Sequence, residues 1–126
     1  MLDVLGQLSD RFTLAIVSNT HDPNLVQTHL RSIGADHCFE EVVTSIDVGH
    51  RKPHPAMYET ALDALGASPA DALFVGDTYL ADYAGPDSLR IRAFLIDPDR
   101  KASVPRSRRI DSLFSLVGHL NNQSLS

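Results

Sequence analysis

The chain has one cysteine, Cys38, and no tryptophan. A lone thiol cannot form an intramolecular disulfide, so the fold does not depend on an oxidising compartment. No apolar run approaches the roughly 20 residues needed to cross a bilayer, and the N-terminus lacks a basic stretch followed by a long apolar one. No membrane is therefore expected as a partner, and the expected location is cytoplasmic. Positive charge is scarce too: 11 Lys and Arg stand against 16 Asp and Glu, a formal net charge of −5. Without a basic surface to track a phosphate backbone, no nucleic acid is expected as a partner. Repeats and low-complexity tracts are missing as well. What remains, 43% hydrophobic and 21% charged residues in a chain of 126, describes one ordinary globular domain, large enough to bury a core without staples.

Hydrophobic spacing divides that domain into alternating elements. Val4, Leu5, Leu8 and Phe12 repeat at helical intervals, predicting a short helix over residues 3–11. "TLAIV" (13–17) is a continuous apolar, β-leaning run that reads as a strand buried on both faces. Asp22 followed by Pro23 reads as an N-cap and first-turn proline, opening a helix that runs to Ile33 and stops at Gly34. "EVVTS" (41–45) is a second strand, followed by the loop "IDVGHRKPHP" and a helix over 56–65 closed by Gly66. Ser68 and Pro69 turn the chain into a third strand, "ALFVG"; residues 80–89 are partly helical despite Pro86, and "RAFLI" (92–96) is a fourth strand. Residues 99–109 read as a polar loop, 111–120 as an amphipathic helix capped by Asp111, and 121–126 as a frayed tail. Strands alternating with helices predict an α/β fold with a parallel, Rossmann-like sheet flanked by helices. Site residues in such sheets collect at the carboxyl ends of the strands.

Three of the four strands end in candidate chemistry: Ser18, Asn19 and Thr20 after the first, Lys52 in the loop after the second, and Asp77 with Asp82 after the third. Singly, each has a bland reading. A Ser or Thr after a strand is usually a cap or turn residue, "RKPHP" is a stiff loop with a solvated lysine, and Gly-Asp is a common turn. In order and spacing, "SNT", "GHRKPHPAMY" and "LFVGDTYLAD" together resemble the haloacid dehalogenase-like (HAD) hydrolase superfamily, in its second, third and fourth motifs, over about residues 1–120. The resemblance implies that Ser18, with neighbouring backbone N–H groups and Asn19, binds a phosphoryl oxygen. It implies that Lys52 offsets the charge of carboxylates and transferred phosphoryl. Asp77 would hold Mg²⁺, with Asp82 supporting it through water or Lys52.

One part of the family pattern is missing. Its first motif, a strand ending in Asp-x-Asp, supplies the nucleophile and the acid/base, and it precedes the serine strand. Here the only aspartates before Ser18 are Asp3 and Asp10, both in a helical pattern. The first, central strand of the sheet should therefore be missing, together with the helical cap that controls substrate choice. Gly85-Pro86 also interrupts the helix expected before the fourth strand, where relatives often carry Ala-Gly-Met.

The leading expectation is the C-terminal portion of a Mg²⁺-dependent phosphomonoester phosphatase acting through an aspartyl-phosphate, its nucleophile outside this chain and the chain alone inactive. Metal-free dehalogenation of a 2-haloacid is the less favoured reaction of the same scaffold. The alternative is a non-catalytic remnant that self-associates, or pairs with a partner chain, through unpaired strands. A receiver domain is disfavoured, because there the acidic residues come first and the lysine last. Of the six histidines, His50 and His54 flank Lys52, but a proline-broken loop denies them the helical i, i+4 geometry of a metal pair. Cys38 reads as a small packed residue and "RSRR" (106–109) as a solvated stretch.

Overall fold

Apolar runs and amphipathic segments alternate as strands and helices in the computed structural model, which describes residues 2–122. Helix α1 (Leu2–Arg11) buries Val4, Leu5 and Leu8 on one face. Val4 and Leu8 pack with Phe94, Ile110, Leu116 and Leu120, while Leu5 meets Leu30, Ala35 and the buried Cys38. Strand β1 (Ala15–Ser18) follows, then α2 (Leu25–Ser32). Asp22 is not the N-cap of α2. Its carboxylate accepts the Asn24 N–H at 2.9 Å, the local turn that Asp favours, and the helix starts past it.

Strand β2 (Glu41–Thr44) breaks into a short helix, α3 (Ser45–Val48), because the Thr44 hydroxyl accepts the Asp47 N–H and caps it. Helix α4 (Pro55–Leu65) has a proline in its first turn, is capped by His54 Nδ1 accepting from the Ala56 N–H, and ends at Gly66. Strand β3 (Leu73–Gly76) leads into a π-helical segment (Tyr79–Ala84) and then α5 (Gly85–Ser88). The chain finishes with β4 (Arg92–Ile96), β5 (Arg109–Ile110) and α6 (Leu113–Asn122).

All strand pairs are parallel, but they form two sheets. β1 pairs with β2, Ala15 opposite Glu41 and Ser18 opposite Thr44. β3 pairs with β4, and β4 with β5. β1 and β3 share no ladder, which is the break expected where a central strand is missing. The break corrects the burial expected of β1. β1 and β3 are apolar yet only half-buried along their length, whereas Ala93, Phe94 and Leu95 in the middle of β4 are 2%, 0% and 2% exposed.

The C-terminal region departs from expectation in three ways. Residues 99–109 are not simply a loop, since Arg109 enters β5. Nor is "RSRR" merely solvated: the Arg108 guanidinium lies 5.4 Å from the Phe94 ring centroid, and Arg109 Nε donates to Asp97 Oδ2 at 3.2 Å. Helix α6 starts at Leu113, with Ser112 Oγ accepting the Ser115 N–H, and runs through Asn122 into the expected tail. Residues 123–126 of that tail lie outside the described residues.

Asp97 organises this region. The N–H groups of Lys101 and Ala102 donate to its carboxylate, both at 3.0 Å, and together with Arg109 they hold its pKa below the ordinary 3.8. A carboxylate with a depressed folded-state pKa contributes stability that is full above the unfolded value and lost as pH falls through the folded one. We therefore expect Asp97→Asn to lower the melting temperature at pH 6, and the gap from wild type to close as the pH is taken below about 4. Thermal melts across that range check the sign; a gap that widens in acid refutes it.

Candidate active site

The carboxyl ends of β1, β2 and β3 meet through one residue. Lys52, in the connection between β2 and α4, has its backbone N–H bonded to Asn19 Oδ1 at 2.8 Å, and its carbonyl accepts from Asn19 Nδ2 at 3.2 Å. A second clasp lies beside it: the Thr20 N–H donates to Ser45 Oγ at 2.9 Å, and the Ser45 hydroxyl donates back to the Thr20 carbonyl at 3.0 Å, all buried. Asn19 and Ser45 thus fix the two loops against each other. Ser18 is the last residue of β1, half-buried and in register with Thr44.

The Lys52 side chain passes the Phe74 ring, its Nζ 5.4 Å from the centroid, and reaches Asp82 Oδ1 at 2.8 Å. The other Asp82 oxygen accepts the backbone N–H groups of Asp77, at 3.1 Å, and Thr78, at 3.0 Å. Such an approach requires glycine at position 76, because a Cβ there would fall on the Asp82 carboxyl group. The π-helical segment that presents Asp82 is held from α4, where the Tyr58 hydroxyl donates to the Ala81 carbonyl. Burial, and then the charge of Asp82, push the Tyr58 pKa up to about 12, so this donor keeps its proton at neutral pH. Gly85 explains the interrupted helix: a Cβ there would meet the Tyr58 hydroxyl and crowd Pro53.

The two carboxylates at the end of β3 therefore have different roles. Asp82 is 5% exposed and satisfied at both oxygens by a cation and two amides. Asp77 is exposed, and its carboxylate accepts a hydrogen bond from the Thr78 hydroxyl at 3.2 Å. A hard cation would be held at Asp77. No group of three or more His, Cys, Asp or Glu gathers among the described residues. One or two carboxylates with several retained waters is nonetheless a donor set that suits Mg²⁺.

Two features around the site were not expected. His50 and His54 stack, ring centroids 3.8 Å apart, on either side of Lys52 in sequence. Leu25, Ile46, Tyr79 and Leu80 are 56%, 41%, 42% and 62% exposed, and all four follow the carboxyl ends of β1, β2 or β3.

Parallel strands with a lysine and two carboxylates near their carboxyl ends are the layout of an α/β fold that carries its site at the strand ends, and comparison with known proteins gives the family. A model described as haloacid dehalogenase-like hydrolase matches residues 1–86, and the chain belongs to that family. It is 35% identical over 114 residues to the human haloacid dehalogenase-like hydrolase domain-containing protein 3, covering 86% of this chain and 45% of that protein. It is 42% identical over 80 residues to pyrophosphatase PpaX of Bacillus pumilus, covering 63% of this chain and 37% of that one. The crystal structure of the HAD hydrolase YfnB from Bacillus subtilis, bound to magnesium, superposes with a TM-score of 0.85 at 27% identity, over 94% of this chain and 54% of that one. The chain thus spans less than half the length of these curated relatives. Among the described residues no helix is long and apolar enough to cross a membrane.

The unequal carboxylates give a test that needs no activity. Asp82→Ala leaves the Lys52 ammonium largely buried without its partner and should cost about 3–5 kcal/mol, whereas Asp77→Ala should change stability by less than about 0.5 kcal/mol. Gly76→Ala should resemble Asp82→Ala. Urea denaturation of the three variants measures the order, and equal losses at Asp77 and Asp82 would contradict it.

Proposed function

We propose that this chain supplies the phosphoryl-stabilising half of a Mg²⁺-dependent phosphomonoester phosphatase. One observation carries the reading: at the carboxyl end of β3, Asp82 is fully engaged with Lys52 and two amides while Asp77 is left exposed as an oxygen ligand. An exposed carboxylate beside an engaged one suits a hard cation, which prefers oxygen ligands. The relatives named as a pyrophosphatase, and the magnesium-bound structural neighbour, support the same choice. Mg²⁺ held at Asp77 would supply a positive charge toward which phosphoryl oxygens orient.

The residues of this chain then divide the remaining work. The Ser18 hydroxyl, at the end of β1, donates to a phosphoryl oxygen. Lys52 carries the positive charge that stabilises the transferred group as negative charge develops on its oxygens. Its position is set from both sides, Asn19 holding its backbone and Asp82 its ammonium. Asn19 thereby contributes to substrate binding through Lys52, and Asp82 to the metal site through Lys52 and the Asp77 amide. The nucleophile is an aspartate outside residues 1–126, since Asp3 and Asp10 both lie in α1 rather than at a strand end. Its carboxylate oxygen bonds to phosphorus as the ester P–O bond breaks, the leaving oxygen taking a proton from the acid/base aspartate of the same motif to depart as the alcohol; water activated by that aspartate then cleaves the acyl phosphate to inorganic phosphate and the free carboxylate. The substrate is a small phosphorylated molecule, and the reaction is placed in the cytoplasm.

In the full-length protein, Asp77→Asn and Lys52→Ala should each lower Mg²⁺-dependent phosphate release from p-nitrophenyl phosphate by about a hundredfold or more. The 126-residue chain alone should release none. Wild-type-like turnover in either variant refutes the assignment, and turnover by the short chain refutes the external nucleophile. Chloride release from 2-chloropropionate that survives EDTA would replace the reading with dehalogenation.

A further inference from the structure

We propose that the cleft at the carboxyl ends of β4 and β5 is an anion site, which binds the phosphoryl group of a small soluble molecule. Charge points there first. Arg100, Lys101, Arg106, Arg108 and Arg109 are five of the chain's 11 Lys and Arg residues, close together in a chain whose formal net charge is −5. Packing then divides them. Arg108 lies against the Phe94 ring and Arg109 is bonded to Asp97, whereas Arg100, Lys101 and Arg106 are exposed and enter no ion pair among the described residues. Arg100, Arg106 and Arg109 line one cleft of about 500 Å³ together with Val104 and Asp111. With Asp97 set against Arg109 and Asp111 against a second arginine, one guanidinium of the three is still without a counter-charge. A guanidinium presents paired N–H donors that match two oxygens of a phosphoryl group, which suits arginine to such a ligand.

Asp97 shapes two parts of the cleft. Arg109 donates from Nε to the Asp97 carboxylate and from Nη2 to the Ala102 carbonyl, at 3.2 Å and 2.7 Å, so its guanidinium is fixed while Nη1 stays available. Binding need not order that group, because folding has already done so. The Asp97 carboxylate also captures the Lys101 and Ala102 N–H groups, and its carbonyl accepts the Arg100 N–H at 3.1 Å, a turn that holds Arg100 in the left-handed region at φ 56°. Glycine would take that backbone without strain, so the turn itself does not call for an arginine. A guanidinium at the cleft does give the residue a role. Asp97 and Asp111 follow the last residues of β4 and β5, which places the cleft at the end of the sheet where α/β folds carry ligands. It lies two strands from β3 and shares no residue with the Lys52 site. Asp111 sets the limit on charge: one phosphoryl group is met by the arginines, whereas a long polyanion would also meet this carboxylate.

The test titrates inorganic phosphate into the full-length protein, in EDTA and at constant ionic strength, and follows proton–nitrogen correlation spectra. Neither turnover nor Mg²⁺ enters the measurement, so its failure and that of the phosphatase reading are separate. Saturable shifts are expected at the amides of residues 97–111 and at the side-chain Nε–H signals of Arg100 and Arg106. The double variant Arg100→Gln, Arg106→Gln changes two exposed side chains and leaves the core untouched. It should weaken phosphate binding at residues 97–111 by at least about tenfold, while any response at the Lys52 site stays as it is. Shifts confined to residues 18–20, 52 and 77–82 would place the anion in the Lys52 site alone and overturn the proposal. Shifts at 97–111 that persist in the double variant would overturn it too. So would capture of the protein by phosphatidic acid vesicles with no response to free phosphate, which would make the arginines a membrane contact.

Discussion

The structure depends on what Lys52 does at three atoms. Its two sheets share no ladder, so something other than backbone pairing must register one against the other. Apolar packing contributes, with α1 and α6 burying Val4, Leu8, Leu116 and Leu120 around Phe94. Apolar contacts are non-directional, however, and fix a separation better than they fix a register. At the carboxyl side the link is directional: the Lys52 peptide is clasped by Asn19 below β1, and its ammonium is clasped by Asp82 below β3. A largely buried ion pair of this kind is weak evidence for stability, since desolvation offsets its Coulomb energy. Its contribution is geometric. It brings the ends of three strands to one point, and the candidate site is that point.

The same arrangement explains two glycines and a tyrosine that otherwise look incidental. Asp82 can accept from the amides of Asp77 and Thr78 only by lying against Gly76, and the segment carrying Asp82 can be bonded from Tyr58 only because Gly85 leaves space for the phenol. Raising the tyrosine pKa to about 12 leaves the hydroxyl a donor under all ordinary conditions. Local backbone contact thus takes priority over helix regularity here, and the π-helical segment followed by a short, proline-containing α5 is the result.

Much of this was legible in the sequence, unevenly. The spacing of Val4, Leu5 and Leu8 gave α1, and the apolar runs gave β1 to β4 to within two residues, because burial alone selects those patterns. "SNT", "RKPHP" and "VGDTYLAD" were bland singly and pointed to a candidate site only through their order and the family resemblance; the structure brings Asn19, Lys52 and Asp82 of these segments into contact. Caps were harder. Asp22 and Thr44 are both sound capping residues, but Asp22 closed a turn while Thr44 started an unexpected helix, and only tertiary context decides between these uses. β5 has two residues, too few for any period, and it exists because Asp97 captures Arg109. Asp77 and Asp82 were told apart only by the family resemblance, Asp77 toward the metal and Asp82 toward Lys52, and not by their spacing. Asp82 can be the buried one because Gly76 has no Cβ where its carboxyl group lies, and no spacing rule encodes that.

The order in which these contacts can form is also determined. Asn19 lies 33 residues from Lys52, and Lys52 lies 30 from Asp82. Closing either loop costs roughly 3 kcal/mol of chain entropy beyond a constant, almost the same for both. The few hydrogen bonds at each end offset little of this; β1–β2 pairing brings Asn19 near Lys52, whereas Asp82 comes near Lys52 only when the two sheets pack together. Lys52 therefore belongs to the late part of folding, when both parallel units have already formed. Slow exchange of the Lys52 amide proton would mark molecules in which both units have formed and met.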